Sequence, residues 1–262
     1  MAQTRIHPSA VVDPAARLGD GVTVGPFCLI GPEVSLGPGV EVKSHAVVTG
    51  WTEIGADSVI FPHATVGEVP QDLKYKGERT RLIVGARCRI REGATLNTGT
   101  EGGGGVTQVG DDCLLMTGSH VGHDARLGHR VILANQVAIA GHCQIGDDVI
   151  IGGLSGIHQW VRVGQGAIIG AVTMVTNDVI PFGLVQGPRG ELDGLNLVGL
   201  KRRGMDRTEI HALRAAYDLL AHGEGTFLDR VRQLAATATA PQVREMTDFI
   251  LATSDRSFLI PK

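Results

Sequence analysis

Residues 18–37 read L-G-D-G-V-T-V-G-P-F-C-L-I-G-P-E-V-S-L-G, and an aliphatic residue followed by glycine falls on every sixth position: Leu18-Gly19, Val24-Gly25, Ile30-Gly31 and Leu36-Gly37. Extended both ways, the aliphatic series runs unbroken from Ile6 to Val66. Asp72 and Glu78 break it; Val84, Ile90 and Leu96 resume it in phase. After a glycine-rich stretch, twelve more aliphatics from Val109 to Val175 follow with the phase slipped by one. A period of six fits neither the 3.6 of an α-helix nor a simple hairpin meander; it is the repeat of a parallel β-helix. Three hexads make one triangular coil of 18 residues, with each aliphatic side chain pointing inward. The 26 hexads counted on this register predict nearly nine coils, a prism about 40 Å long at one strand spacing per coil.

The composition agrees. Glycine is 37 of 262 residues, suited to many tight corners, and aromatics are only 4%, suited to a narrow interior. Without a strict Gly-x-y period, collagen is excluded. Hydrophobic content of 43% permits a buried core, and a net charge of −3 gives no reason to expect nucleic acid or an anionic membrane surface as partner. Cys28, Cys88, Cys113 and Cys143 form no C-x-x-C. They read as reduced, mostly buried thiols of a cytoplasmic protein. No apolar signal core opens the chain and no run of 18 apolar residues occurs, so neither a cleaved secretion signal nor a membrane span is expected.

Two segments interrupt the coil. Residues 67–82 read as a loop that leaves the prism and returns in phase, and residues 97–108 as a second insertion, a flexible connection. Gly102–Gly105 lacks the G-K-[ST] of a phosphate-binding loop. The hexads end near Val185, which sets a β-helix over 1–187 and a small α-helical domain over 188–262. In the latter, Asp206-Arg207-Thr208-Glu209 is a capping box, Thr226 caps a second helix and Pro241 opens a third.

Residues 18 apart stack on neighbouring coils, which places the histidines. Gly141 lies on His123, His142 lies on Asp124, and His158 belongs to the next coil of the same column, with His120 at the corner before. An imidazole beside a carboxylate can be held in one tautomer and act as a general base near neutral pH. A glycine lets a backbone N–H approach a substrate oxygen. Base and oxyanion donor together point to acyl transfer. No Ser or Cys sits in the column beside His123, which favours direct attack by the acceptor over a covalent enzyme intermediate. His45 and His63, also 18 apart, have no carboxylate beside them and read as a surface ladder.

Several strings resemble the UDP-N-acetylglucosamine 3-O-acyltransferases of lipid A biosynthesis: Q-D-L-K-Y at 71–75, I-R-E at 90–92, H-V-G-H-D at 120–124, I-L-A-N at 132–135, A-G-H at 140–142, I-H-Q at 157–159 and G-L-K-R-R-G at 199–204. The resemblance implies a left-handed parallel β-helix assembled as a homotrimer, with active sites between subunits. It implies His123 as general base, Asp124 as its orienter and the Gly141 N–H as oxyanion donor. His120, His142 and His158 would line the sugar and acyl site; Gln71, Asp72 and Lys74 would hold the sugar nucleotide. Gln159, Asn196, Arg202 and Arg203 match positions near the uridine and phosphates, and Ala171 the residue that limits acyl length. The partners implied are UDP-N-acetylglucosamine and an (R)-3-hydroxyacyl thioester on acyl carrier protein, with no cofactor and no metal. The chain departs from the family pattern at Val198, where a Glu is usual, and at T-L-N-T-G-T (95–100), where T-I-H-R-G-T is usual.

The basic run Lys201, Arg202, Arg203 and Arg207 reads either as a solvated helix entrance or as a patch for a pyrophosphate or an acidic carrier. One rival reading remains for the histidine column, a zinc site of the kind that hydrolases build on the same prism. Asp124 abutting His123 and the 71–75 loop argue against it. A non-catalytic β-helix would need regular Thr ladders, which are missing.

Overall fold

The computed structural model describes residues 3–254 and 256–261. The strands form three sheets of 11, 9 and 8, parallel except for the last strand of the first sheet, and the hexads visit them in rotation in a left-handed β-helix of triangular section. Strands that start at Arg5, Val11 and Arg17 open the first, second and third sheets. Partners within a sheet lie 18 residues apart: His120 pairs with Ala138 and Ala138 with Gly156.

The sixth-position aliphatics fill the prism. Ile60, Ile90, Leu115, Leu133 and Ile151 stack on the first sheet with no exposed surface, each burial stabilising the coil by about 1.5–3 kcal/mol. The series weakens only at the open N-terminal end, where Ile6 is 46% exposed. All four cysteines are free and buried, each two residues before an aliphatic, where a small side chain fits inside the corner.

Most corners turn through one residue in the left-handed region. Glycine suits this, as at Gly118 (φ 69°). The corner between the second and third sheets instead carries Asp124, His142 and Trp160 at φ 59°, 62° and 66°. Trp there is strained by on the order of 1–3 kcal/mol, a cost that other corners carry as well, at Phe27, Leu154 and Val172.

The strand register explains both interruptions. Arg81 pairs with Trp51, a step of 30, so the first insertion adds twelve residues, two hexads, and the phase is kept. Val106 pairs with Arg81, a step of 25, so the second adds seven and the phase slips by one. The second insertion is not a loose connection. Asn97, Thr98, Thr100 and Thr107 are buried, and Glu101–Gly103 forms a 3-10 turn.

After the last hexads an antiparallel hairpin, Gly183–Gln186 with Glu191–Leu195, extends the first sheet past residue 187. Helices α1 (Leu197–Arg202), α2 (Arg207–His222), α3 (Phe227–Thr237) and α4 (Pro241–Leu251) follow. The capping boxes at Asp206/Glu209 and Thr226/Asp229 are both formed, and Pro241 opens α4. The hairpin and α1 are absent from the sequence reading: both are too short to show a period. Among the described residues no helix is long and apolar enough to cross a membrane.

Candidate active site

The second sheet and its following corner build a groove of about 330 Å³, lined among others by His120, His123, Gly141, His158 and Gln159, with Gln71 from the first insertion. Its floor is made of the outward positions of successive strands, His120, Ala138, Gly156 and Met174. The side chains shrink to nothing at Gly156, which leaves room for an occupant.

His123 is 7% exposed, and its Nδ1 lies 2.9 Å from Asp124 Oδ2. A carboxylate only accepts, so Nδ1 carries the proton and Nε2 presents a lone pair. Asp124 is held in turn by the Thr100 N–H (2.9 Å) and the Thr100 hydroxyl (2.6 Å). Its own N–H donates to the Thr107 hydroxyl at 2.8 Å. The glycine-rich insertion thus grips the carboxylate, and a side chain on Gly103 would collide with it.

Gly141 lies under the His123 ring, where a Cβ would strike Cε1 and Nε2. Among the described residues its N–H donates to no protein group, while its carbonyl accepts from Trp160. His142 stacks flat on Trp160, centroids 3.9 Å apart and planes within 5°, and meets His123 edge-on at 4.9 Å. Burial pushes the His142 pKa down; Asp124 opposes this, His123 adds to it, and smaller effects come from Asp72 and Lys74. Those two loop residues therefore lie within electrostatic reach of the site. His120 is also pushed down, by burial first and by His123 second, and its Nδ1 is 2.8 Å from the Thr95 hydroxyl. His158 contributes its ring to the groove and meets Arg256 at 2.9 Å.

His123, Asp124 and His142 offer ligand atoms within 4.8 Å of one another and could hold a metal ion. The Asp124 carboxylate, however, is already committed to Thr100 and His123, which fits a base with its orienter better than a cation cage.

The sequence profile described as Udp N-acetylglucosamine O-acyltransferase, Domain 2, matches residues 178–259, and that of the bacterial transferase hexapeptide (six repeats) matches residues 15–50. The chain is 68% identical over 262 residues to the acyl-[acyl-carrier-protein]–UDP-N-acetylglucosamine O-acyltransferase of Paracoccus denitrificans, covering 100% of this chain and 99% of that one. This chain belongs to the UDP-N-acetylglucosamine O-acyltransferase family. It is 49% identical to the member of the same name from Rhizobium johnstonii, over 98% of this chain and 95% of the other. The solved UDP-N-acetylglucosamine acyltransferase from Campylobacter jejuni superposes with a TM-score of 0.93 at 36% identity, over 98% of this chain and 100% of that one.

Not every residue that the family resemblance suggests reaches the groove. Asn196 is 4% exposed; its Oδ1 accepts from the Gly199 N–H and its Nδ2 donates to the Gly166 carbonyl, each at 2.9 Å. It caps α1 and does not face a ligand within this chain. Arg203 lines a separate cleft of about 230 Å³ with Asp148, Gly166 and Glu245, at the corner between the third and first sheets. Arg202 is exposed at the end of α1. Ala171 sits exposed at the corner between the first and second sheets, not among the groove-lining residues.

Four residues of the site escape the sequence reading. Trp160 follows His142 by 18 and was findable by the stacking rule. Thr95 and Thr100 meet His120 and Asp124 at separations of 25 and 24, which the seven-residue insertion hides. Asn97 lines the groove, and its buried Oδ1 has no partner among the described residues.

Proposed function

We propose that this chain transfers an (R)-3-hydroxyacyl group from acyl carrier protein to the 3-hydroxyl of UDP-N-acetylglucosamine, the first step of lipid A biosynthesis. The observation that carries the reading is His123, its Nδ1–H fixed on Asp124 and its ring lying over the N–H of Gly141, which has no partner among the described residues. His123 Nε2 removes the proton of the sugar hydroxyl as that oxygen attacks the thioester carbonyl. The oxyanion is met by the Gly141 N–H. Collapse breaks the carbon–sulfur bond, and the departing carrier thiolate takes the proton back from His123.

Direct attack is favoured because, among the described residues, no Ser, Cys or Lys lines the groove. Burial pushes the nearby Cys143 thiol up to about 12, which leaves it inert. Gln71, Asp72 and Lys74 hold the sugar nucleotide, while His120, His142, His158 and Gln159 line the sugar and acyl subsites. Arg202, Arg203 and the segment at Asn196 lie at a different corner of the prism, so their part in the site requires a second copy beside the first. The reading therefore includes a homotrimer with grooves shared between copies, at work in the cytoplasm. Ala171, in the same arrangement, closes the acyl groove: a Gly there would lengthen the preferred chain, and a Met would shorten it.

The test is incubation with UDP-N-acetylglucosamine and carrier proteins bearing hydroxyacyl chains of graded length, with products weighed. A 3-O-acylated sugar nucleotide is expected. Its absence with every carrier, or activity that tracks stoichiometric zinc, overturns the proposal.

A further inference from the structure

Asp178 is fully buried near the end of the prism and gathers the C-terminal segment. Its carboxylate accepts from Arg162 Nε at 2.7 Å and from the Ser254 hydroxyl at 2.6 Å. Its N–H donates to the Ser257 carbonyl, and its carbonyl accepts from the Leu259 N–H, each at 2.9 Å. Two aromatic rings, Phe249 and Phe258, pack on the Arg162 guanidinium. The tail is thus fixed by bonds that do not involve the Arg256 side chain. That side chain is free to reach back 98 residues along the sequence, where Nη2 stands 2.9 Å from His158 Nδ1.

A guanidinium has five N–H donors and no acceptor, and it stays charged in proteins. A contact at this distance needs an acceptor on the imidazole, so Nδ1 must be unprotonated. The Gln159 carbonyl also approaches Nδ1, at 3.2 Å, and would suit a protonated Nδ1. That alternative sets two N–H groups head to head at the shorter distance, one of them on a cation, and it loses. The remaining proton of the neutral ring then lies on Nε2.

We infer that Arg256 is a positioning residue that holds His158 as the Nε2–H tautomer, so that the groove contains two imidazoles of opposite polarity: His123 with a lone pair on Nε2, His158 with a hydrogen-bond donor there. His123 takes a proton; His158 gives a hydrogen bond to a substrate oxygen and does not compete as a second base. The second half of this statement rests on the acyl-transfer reading. The tautomer itself does not.

The experiment is a long-range ¹H–¹⁵N spectrum of the full chain labelled at histidine, with His158→Asn used to assign the His158 signals. Expected is an unprotonated Nδ1 and a protonated Nε2 at His158, the reverse of His123. In Arg256→Ala the His158 tautomers should mix, and kcat/KM should fall roughly ten-fold, the worth of one well-oriented hydrogen bond. Arg256→Lys, which restores a charged donor, should restore both; it also serves where the alanine variant folds poorly. A protonated Nδ1 in the unaltered chain, or an Arg256→Ala spectrum identical to it at His158, overturns the inference. If the unaltered chain makes no acylated sugar, the functional reading fails while the tautomer result stands; if it makes product with Nδ1 protonated, the reverse holds.

Discussion

Two insertions break the same hexad register, and they end in opposite environments. The first, 67–82, stays outside: Val69 is 52% exposed and Leu73 has no cover at all, at 105%. Its tip is bonded mainly within itself, while its ends are tied to the second insertion: the Asn97 amide donates to the Glu68 and Val69 carbonyls, and the Thr80 hydroxyl to that of Thr98. The Lys74 N–H donates to Asp72, the Tyr75 hydroxyl to the Glu78 carbonyl, and the Lys76 N–H to the Glu78 carboxylate. The second, 97–108, turns inward and buries four polar side chains, with Thr100 and Thr107 spent on Asp124. A buried carboxylate costs several kcal/mol unless its acceptors are filled, so this segment is a structural requirement of the His123 pair. The exposed tip of the outer loop has no such debt, and Gln71 from it reaches the groove. The difference suggests a division of labour: the inner insertion serves the chemical step and the outer one serves binding.

The largest expected effect is at the residue the inner insertion supports. His123→Ala should lower kcat by about 10²–10⁴, the usual contribution of a general base. Its ring lies outside the aliphatic core, so folding and assembly should survive, with the melting temperature lowered because buried Asp124 loses one hydrogen-bond donor. Near-normal turnover in a folded variant would remove His123 from the mechanism and leave the inner segment without a purpose.

Next is Gly103, whose missing side chain makes room for Asp124. Gly103→Val should displace the carboxylate and cost on the order of ten- to a hundred-fold in kcat, with KM for the sugar nucleotide nearly constant. Equal loss in KM would mean that the inner insertion also binds substrate, and the comparison would blur.

The outer loop predicts the opposite pattern. Lys74→Ala should raise KM for the sugar nucleotide roughly ten-fold, the scale of one charge-assisted contact, and leave kcat close to normal. Steady-state kinetics with the carrier substrate saturating would check it. A fall in kcat with unchanged KM would assign the loop to chemistry.

How legible was this in the sequence? The prism was, because one aliphatic every sixth residue is a strong signal repeated along most of the chain. The stacking rule then carried His123, Asp124, Gly141 and His142 to one corner. It stopped at the seven-residue slip, since Thr100 meets Asp124 through a turn that no period encodes. The glycines of 102–105 looked like slack when their role at Gly103 is clearance. Asn196, matched to a ligand position by its neighbours in sequence, spends its amide on a helix cap. Arg256 gave no signal, because the tail reaches His158 only through Asp178, a contact with no periodicity behind it.

The smallest effect is the most discriminating, because charges held by both insertions act on His142. Burial pushes its pKa below the ordinary histidine value, which favours the neutral ring. Asp124, gripped by the inner segment, is the larger of the two carboxylates that oppose this shift, and Asp72 on the outer loop is the smaller; Lys74 works the other way. The signs follow. Removing a nearby negative charge disfavours imidazolium, so Asp124→Asn and Asp72→Asn should each move the His142 midpoint lower, the first more than the second. Lys74→Met should move it higher. A folded-state pKa below the unfolded value means that the contribution of His142 to stability is complete above the unfolded pKa. It is lost as pH falls through the folded one. An NMR titration of His142 in the four proteins measures all three shifts at once. If Asp72→Asn and Lys74→Met leave the midpoint where it was, the outer loop does not sit over the histidines in solution. Its role in holding the sugar nucleotide would then depend on closure around the ligand, and the Lys74→Ala effect on KM should persist without any electrostatic trace in the free enzyme.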